Sequence, residues 1–313
     1  MTGGARGEAA QHRPDGQWAE PAAGPGLAGL TARQRCLVMG VVNVTPDSFS
    51  DGGSWLDPAA ATKHGLDLAS QGADIIDVGG ESTRPGARRV PIDEELGRVL
   101  PVVTALAAAG CYVSIDTMRA EVARQALQAG ARMVNDVSGG LADPDMAPVV
   151  AASGVPYIVT HWRGHSSDMY GSATYTDVVA EVRAELASRV SAAIAAGVQP
   201  EQIVVDPGLG FAKHPEHNWA LLASLDRIGC LPGHPARFPV LMAASRKRFL
   251  GRLLAGPDGE PRSFAGSDDA TIAVTALAVA AGVWCVRVHV VPGNLDAVRV
   301  ATRWRQACAE EAR

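Results

Sequence analysis

The sequence has few cysteines, little excess charge and no long uninterrupted apolar run, and each shortage removes a class of protein. Its five cysteines, Cys36, Cys111, Cys230, Cys285 and Cys308, are odd in number, scattered and never spaced C-x-x-C. That pattern fits reduced thiols in a cytosol better than a disulfide framework or a zinc site. With 28 lysines and arginines against 33 aspartates and glutamates, the formal charge is -5. A mildly acidic chain lacks the basic stripe that nucleic-acid phosphates require. The N-terminus has no apolar signal-peptide core. The longest apolar stretch, Thr271 to Val286, contains Gly282 and runs into Arg287 and His289, which reads as a buried helix and a strand rather than a membrane span. No G-x-G-x-x-G follows the first expected strand, so the dinucleotide-binding turn of an open α/β sheet is missing.

What is present is a recurring unit. Residues 1–34, rich in Gly, Ala, Pro and charge, are expected to form a disordered tail, and residues 35–313 one folded domain. Within that domain an Ala/Leu-rich amphipathic stretch is followed by a glycine (Gly72, Gly110, Gly130, Gly154, Gly197, Gly282) suited to closing a helix. A short β-branched run ending in polar residues comes next. The runs are Val38–Val44, Ile75–Val78, Val113–Asp116, Met133–Asp136, Tyr157–Thr160, Ile203–Asp206, Val240–Ala243 and Val286–His289. Continuous apolar runs alternating with helices indicate parallel strands buried on both faces. Asp57-Pro58 marks a helix start. Eight such units in roughly 280 residues predict an α/β fold, a single (β/α)8 TIM barrel. The segments Gly164–Thr176 and Gly256–Ser267 are expected to be flexible connections.

In such a barrel the active site lies at the C-terminal strand ends. Asp116, Asn135 and Asp206 converge there from three strands, and carboxylates suit a flat ligand edged with N–H donors, such as an aminopyrimidinone. The alternative is that they cap loops and helix starts. Arg84, Lys247, Arg287 and His289 are cations at the same rim, as an anionic group such as a diphosphate requires. Arg287 and His289 alternate with Val286 and Val288, so both should point into the barrel mouth. Arg246 and Arg248 read equally well as the solvated start of a helix. The pairs His161/His165 and His214/His217 lack further metal ligands and read as surface or packing features.

Seven blocks, in order, resemble the dihydropteroate synthase family. They are NVTPDSFSDGG at 43–53, GGESTRPG at 79–86, SIDT at 114–117, NDVSGG at 135–140, DPGLGFAK at 206–213, SRK at 245–247 and RVH at 287–289. The resemblance implies that the enzyme joins a pterin-methyl diphosphate to p-aminobenzoate. Asp116, Asn135, Asp206, Phe211 and Lys247 would hold the pterin. Asn43, Thr83, Arg287 and His289 would hold the diphosphate, with Mg2+ on Asn43. Arg84, Pro85 and Ser245 would meet p-aminobenzoate, and Asp47, Asp51, Thr83, Arg84 and Lys247 would serve catalysis. It further implies a cytoplasmic homodimer, a sulfonamide target, with neither nucleic acid nor membrane as partner. Two departures stand out: Val290 follows RVH where the family usually has an acid, and Thr160 stands where methionine is common. Val290 motivates the rival reading of a non-catalytic pterin-binding paralogue. A pterin-dependent methyltransferase is a second rival, which leaves SRK and RVH without a use.

Overall fold

The computed structural model describes residues 27, 30, 35–45, 57–82, 89–164 and 173–311. Eight strands appear where the sequence places them: β1 (Leu37–Asn43), β2 (Ile75–Gly79), β3 (Val113–Asp116), β4 (Met133–Asp136), β5 (Tyr157–Thr160), β6 (Ile203–Asp206), β7 (Leu241–Met242) and β8 (Cys285–Val288). All ladders are parallel, and the sheet runs β6-β5-β4-β3-β2-β1-β8-β7. The ring closes between β6 and β7 through one isolated bridge, Val205 to Val240, with the Val205 N–H on the Pro239 carbonyl at 2.9 Å.

The main helices between strands are α1 (Pro58–Ser70), α2 (Ile92–Ala108), α3 (Ala120–Gln128), α4 (Met146–Ser153), α5 (Val178–Ala195), α6 (Pro215–Leu222), α7 (Leu225–Ile228), α8 (Arg248–Leu253), α9 (Asp268–Ala280) and α10 (Pro292–Glu311). Asp57 caps α1 as expected, its Oδ1 accepting from the Ala59 N–H at 3.1 Å. The six glycines singled out in the sequence all take positive φ.

Strand side chains alternate faces, and the two faces differ in chemistry. Outward residues such as Val38, Ile76, Ile115, Val134, Val159, Val205 and Val286 are buried against the helices. Inward residues at the lower end, Leu37, Met39, Ile75, Met133, Ile158, Val204, Leu241 and Cys285, form a separate apolar plug. One layer higher the inward positions turn polar, with Asp77, Asp116, Asn135, Thr160, Asp206 and Arg287. The apolar layer seals the barrel from below, so the polar layer is reached only from the C-terminal end.

The tail boundary shifts on this evidence. Leu27 and Leu30 are only 6% and 5% exposed and pack into the apolar plug, so ordered packing begins ahead of Arg35. The rest of the expected tail lies outside the described residues. So does most of the connection at 164–176, whereas 256–267 is described and is held in part by the Arg262 N–H on the Gly251 carbonyl at 3.0 Å.

Candidate active site

The polar layer opens into a cavity of ≈ 380 Å³ lined by Asn43, Thr45, Ser82, Asp116, Asn135, Thr160, Asp206, Phe211, Lys213, Ser245, Lys247, Arg287 and His289, among others. Of the residues singled out by sequence, Asn43, Asp116, Asn135, Asp206, Phe211, Ser245, Lys247, Arg287 and His289 therefore share one cavity. Asp47, Asp51, Thr83, Arg84 and Pro85 lie outside the described residues.

At the centre is an array built around Asp77, a strand residue to which the sequence alone assigns no role. Asp77, fully buried on β2, accepts from Arg287 Nε at 2.6 Å and from Asn135 Nδ2 at 3.0 Å through the same Oδ2. Arg287 Nη2 donates to Asp116 Oδ2 at 2.7 Å. Arg287 is thus a guanidinium held between two carboxylates rather than an open cation, and Nη1 meets no acceptor among the described residues. Asp77 stands in the sequence as a polar residue near the end of its strand, but nothing local gives it a role. Its parity with Gly79 at the strand end, two residues on, was the signal that it faces inward. Burial raises the Asp116 carboxyl to about 7; Arg287 pulls it down and the neighbouring Asp77 pushes it up.

Across the barrel, the loop 206–213 folds back over the strand ends. Asp206 Oδ1 accepts from the Gly208 N–H at 2.7 Å, which leaves Oδ2 toward the cavity. A left-handed Gly208 is required here, since φ is +66° and a Cβ would lie 2.1 Å from the His161 carbonyl oxygen. Lys247 donates to the Leu209 carbonyl and stands 4.8 Å above the Phe211 ring centroid. Burial lowers the Lys247 ammonium to about 8, against the pull of Asp206. Ser245 Oγ lies 3.0 Å from His289 Nδ1 and accepts the His289 backbone N–H at 3.2 Å. Arg246, expected on solvent as an alternative, is drawn back by Asp268, with two contacts of 3.1 Å. Arg248 is exposed.

Behind the mouth, buried groups shape the loops. Asp136 receives Ser138 N–H (2.8 Å), Ser138 Oγ (2.6 Å), Gly140 N–H (2.7 Å) and Tyr157 OH (2.9 Å), which folds the NDVSGG turn. Arg119 bridges Glu95 and Glu81, the latter at 2.9 Å, and Thr117 donates to Glu95 at 2.6 Å. Glu81 also takes the Val90 N–H at 3.1 Å. His161 proves to be fully buried rather than superficial, with Nε2 3.0 Å from Glu185 Oε2. Val290 is not needed to hold Arg287, whose carboxylate partners are Asp77 and Asp116.

Comparison with known proteins agrees with this geometry. The family model described as pterin binding enzyme matches residues 39–289. A dihydropteroate synthase of Mycobacterium leprae is 56% identical over 271 residues, 86% of this chain and 94% of its own length. Among solved structures, a Xanthomonas albilineans dihydropteroate synthase with 4-aminobenzoic acid superposes with a TM-score of 0.74 at 44% identity, covering 88% of this chain and 94% of its own. A Burkholderia cenocepacia dihydropteroate synthase complexed with 7,8-dihydropteroate gives 0.78 at 38% identity, covering 89% and 94%. The match spans the barrel from its first strand to the last cavity-lining residue, and by it the chain belongs to the pterin-binding enzyme family.

Proposed function

We propose that the protein is a dihydropteroate synthase, condensing (7,8-dihydropterin-6-yl)methyl diphosphate with p-aminobenzoate to give 7,8-dihydropteroate and diphosphate. The observation that carries this reading is the set of uncommitted polar atoms in the cavity. Asp116 Oδ1, Asn135 Oδ1 and Asp206 Oδ2 remain as acceptors once the internal hydrogen bonds are made, and Lys247 remains as a donor. Three acceptors and one cation complement the N–H edge and the carbonyl of an aminopyrimidinone, with charge-assisted hydrogen bonds of about 1.5–3 kcal/mol each. Phe211 supplies an apolar wall.

Arg287 Nη1, His289 and Asn43 then face the leaving group. The C–O bond to diphosphate breaks with its electron pair leaving on oxygen. The aromatic amine forms the C–N bond with its lone pair and gives up a proton. Arg287 and His289 stabilise the departing charge, and pinning by Asp77 and Asp116 means that Arg287 needs no reorganisation as that charge develops. Asp51, or Asp47, stabilises the cationic methylene, Thr83 joins the diphosphate contacts, and Arg84, Pro85 and Ser245 complete the p-aminobenzoate side.

Among the described residues no three His, Cys, Asp or Glu side chains converge on a metal position. A single amide from Asn43 beside cationic residues fits Mg2+ that arrives on the diphosphate and keeps most of its waters. Such an ion supplies further neutralisation of the leaving group. Among the described residues no helix is long and apolar enough to cross a membrane, consistent with a cytoplasmic enzyme. A homodimer is supported by Leu277, Val300 and Trp304, exposed by 71%, 67% and 70% on α9 and α10.

The test is to follow diphosphate release and dihydropteroate formation together from the two substrates and Mg2+, with Arg287→Ala and Asp206→Ala as controls. Product that disappears in both variants supports the synthase. Tight pterin binding without product in the unmodified protein refutes it in favour of a non-catalytic paralogue.

A further inference from the structure

Lys213 is only 2% exposed, lines the cavity floor, and has no part in the site assembled so far. Its ammonium has three donors and meets three acceptors: the Gly208 carbonyl at 3.0 Å, the Phe211 carbonyl at 3.0 Å and His161 Nδ1 at 2.9 Å. Burial lowers Lys213 well below the usual lysine range, but Glu185 is a carboxylate that only accepts, so Nε2 carries the ring proton and His161 Nδ1 carries the lone pair that Lys213 meets as a donor. Arg163 holds Glu185 in turn at 3.0 Å. Burial drives His161 down to about 3, in keeping with a neutral ring. A fixed chain of donors and acceptors thus runs from α5 to the underside of the loop 206–213.

The N–H groups of that loop are held by Asp206 Oδ1, by Asn218 Oδ1 at 2.7 Å and by the Gly208 carbonyl at 3.1 Å, and its carbonyls depend more on side chains. Left-handed residues recur at alternate positions, Gly208, Gly210 and Ala212, with φ of 66°, 79° and 47°, so no regular ladder can hold its carbonyls. Two lysines do so instead. Lys213 takes the carbonyls of Gly208 and Phe211, and Lys247 takes the carbonyl of Leu209 between them. The direction of the Leu209 carbonyl fixes where the Lys247 ammonium stands, and the height of Phe211 fixes the apolar wall.

We propose that Lys213 is a positioning residue for the pterin: its ammonium, held beneath the loop by His161, sets the placement of Phe211 and Lys247. A neutral side chain of similar length would leave the Phe211 carbonyl without this donor and the Gly208 carbonyl with only the Phe211 N–H at 3.1 Å, and would let the loop rise. The inference rests on the pterin-binding reading of the cavity. Binding of 6-hydroxymethylpterin to the unmodified protein tests that reading separately.

The experiment compares unmodified protein with Lys213→Met, Lys213→Arg and His161→Gln. It measures melting temperature, the Kd of 6-hydroxymethylpterin by calorimetry, and KM for each substrate. In Lys213→Met, pterin Kd and the KM for the pterin diphosphate should rise together by ~10- to 100-fold, the loss expected for one to two charged hydrogen bonds. The KM for p-aminobenzoate should stay within about twofold, since only the pterin wall has moved. Lys213→Arg should recover part of the loss by keeping the donors, and His161→Gln should shift the same constants less. Unchanged pterin affinity in folded Lys213→Met, or an equal rise in both KM values, overturns the proposal. Should Lys213→Met fail to fold, unchanged pterin affinity in His161→Gln overturns it equally.

Discussion

On the proposed pterin-binding role of Asp116, pterin affinity should depend on pH in a range where ordinary carboxylates do not titrate. Burial holds it at about 7, and only the ionised group accepts hydrogen bonds on both oxygens, one from Arg287 and one from a ligand N–H. Below its pKa, each pH unit therefore costs the complex roughly a factor of ten, or about 1.4 kcal/mol. With the group already half protonated at pH 7, affinity for 6-hydroxymethylpterin should accordingly fall ~50-fold between pH 7 and pH 5. Stability runs the other way. A carboxyl whose folded-state pKa lies above its usual value of 3.8 contributes stability that is full at low pH and lost as pH rises through about 7. That follows from proton linkage: in this window the folded state binds more protons than the unfolded state. His161, lowered to about 3, opposes this effect below its usual value of 6.5 because only the unfolded state takes up its proton. The Asp116 contribution is therefore read as the difference between unmodified protein and Asp116→Asn, by calorimetric binding and urea unfolding from pH 5 to 7.5. In that variant the slope of affinity should vanish and the stability difference should shrink. Flat affinity in the unmodified protein, or a slope that survives in Asp116→Asn, refutes the reasoning.

Three further outcomes are expected. Asp77→Asn weakens one charged hydrogen bond to Arg287 and the one from Asn135, so kcat/KM should drop by ~10- to 100-fold in a steady-state assay. Gly208→Ala forces a Cβ to 2.1 Å from the His161 carbonyl oxygen in a left-handed conformation, and urea unfolding should show a loss of at least about 2 kcal/mol. Trp304→Glu places a charge on the exposed α9–α10 face; sedimentation should show a monomer with an intact circular-dichroism spectrum, whereas an unchanged assembly removes this face as the dimer contact.

The barrel was legible because its periodicities are local. A strand buried on both faces reads as an apolar run, and the glycine that ends each helix announces the next one. The cavity was legible wherever a polar residue closed such a run, as at Asp116, Asn135 and Asp206. Asp77 was visible as a polar residue near the end of its run, but its role exists only through Arg287, 210 residues away. The role of Lys213 was hidden for a different reason. A lysine between a glycine-rich loop and a helix start looks solvated, and only the fold brings His161 beneath it. The two-carboxylate hold on Arg287 also depends on register, which pairs β1 with both β2 and β8 and which no single segment specifies.

The narrow closure of the ring has a bearing on how the protein meets its substrate. Asp206 ends β6 and Lys247 follows β7, so they stand on opposite sides of the join made by one bridge, Val205 to Val240. A pterin that engages both spans this seam. The ligand therefore serves as an additional rung of the barrel wall, and occupancy should slow hydrogen exchange most at the amide of Val205, which binds the Pro239 carbonyl across the seam at 2.9 Å. Catalytic turnover then includes the repeated mending and loosening of the last joint in the fold.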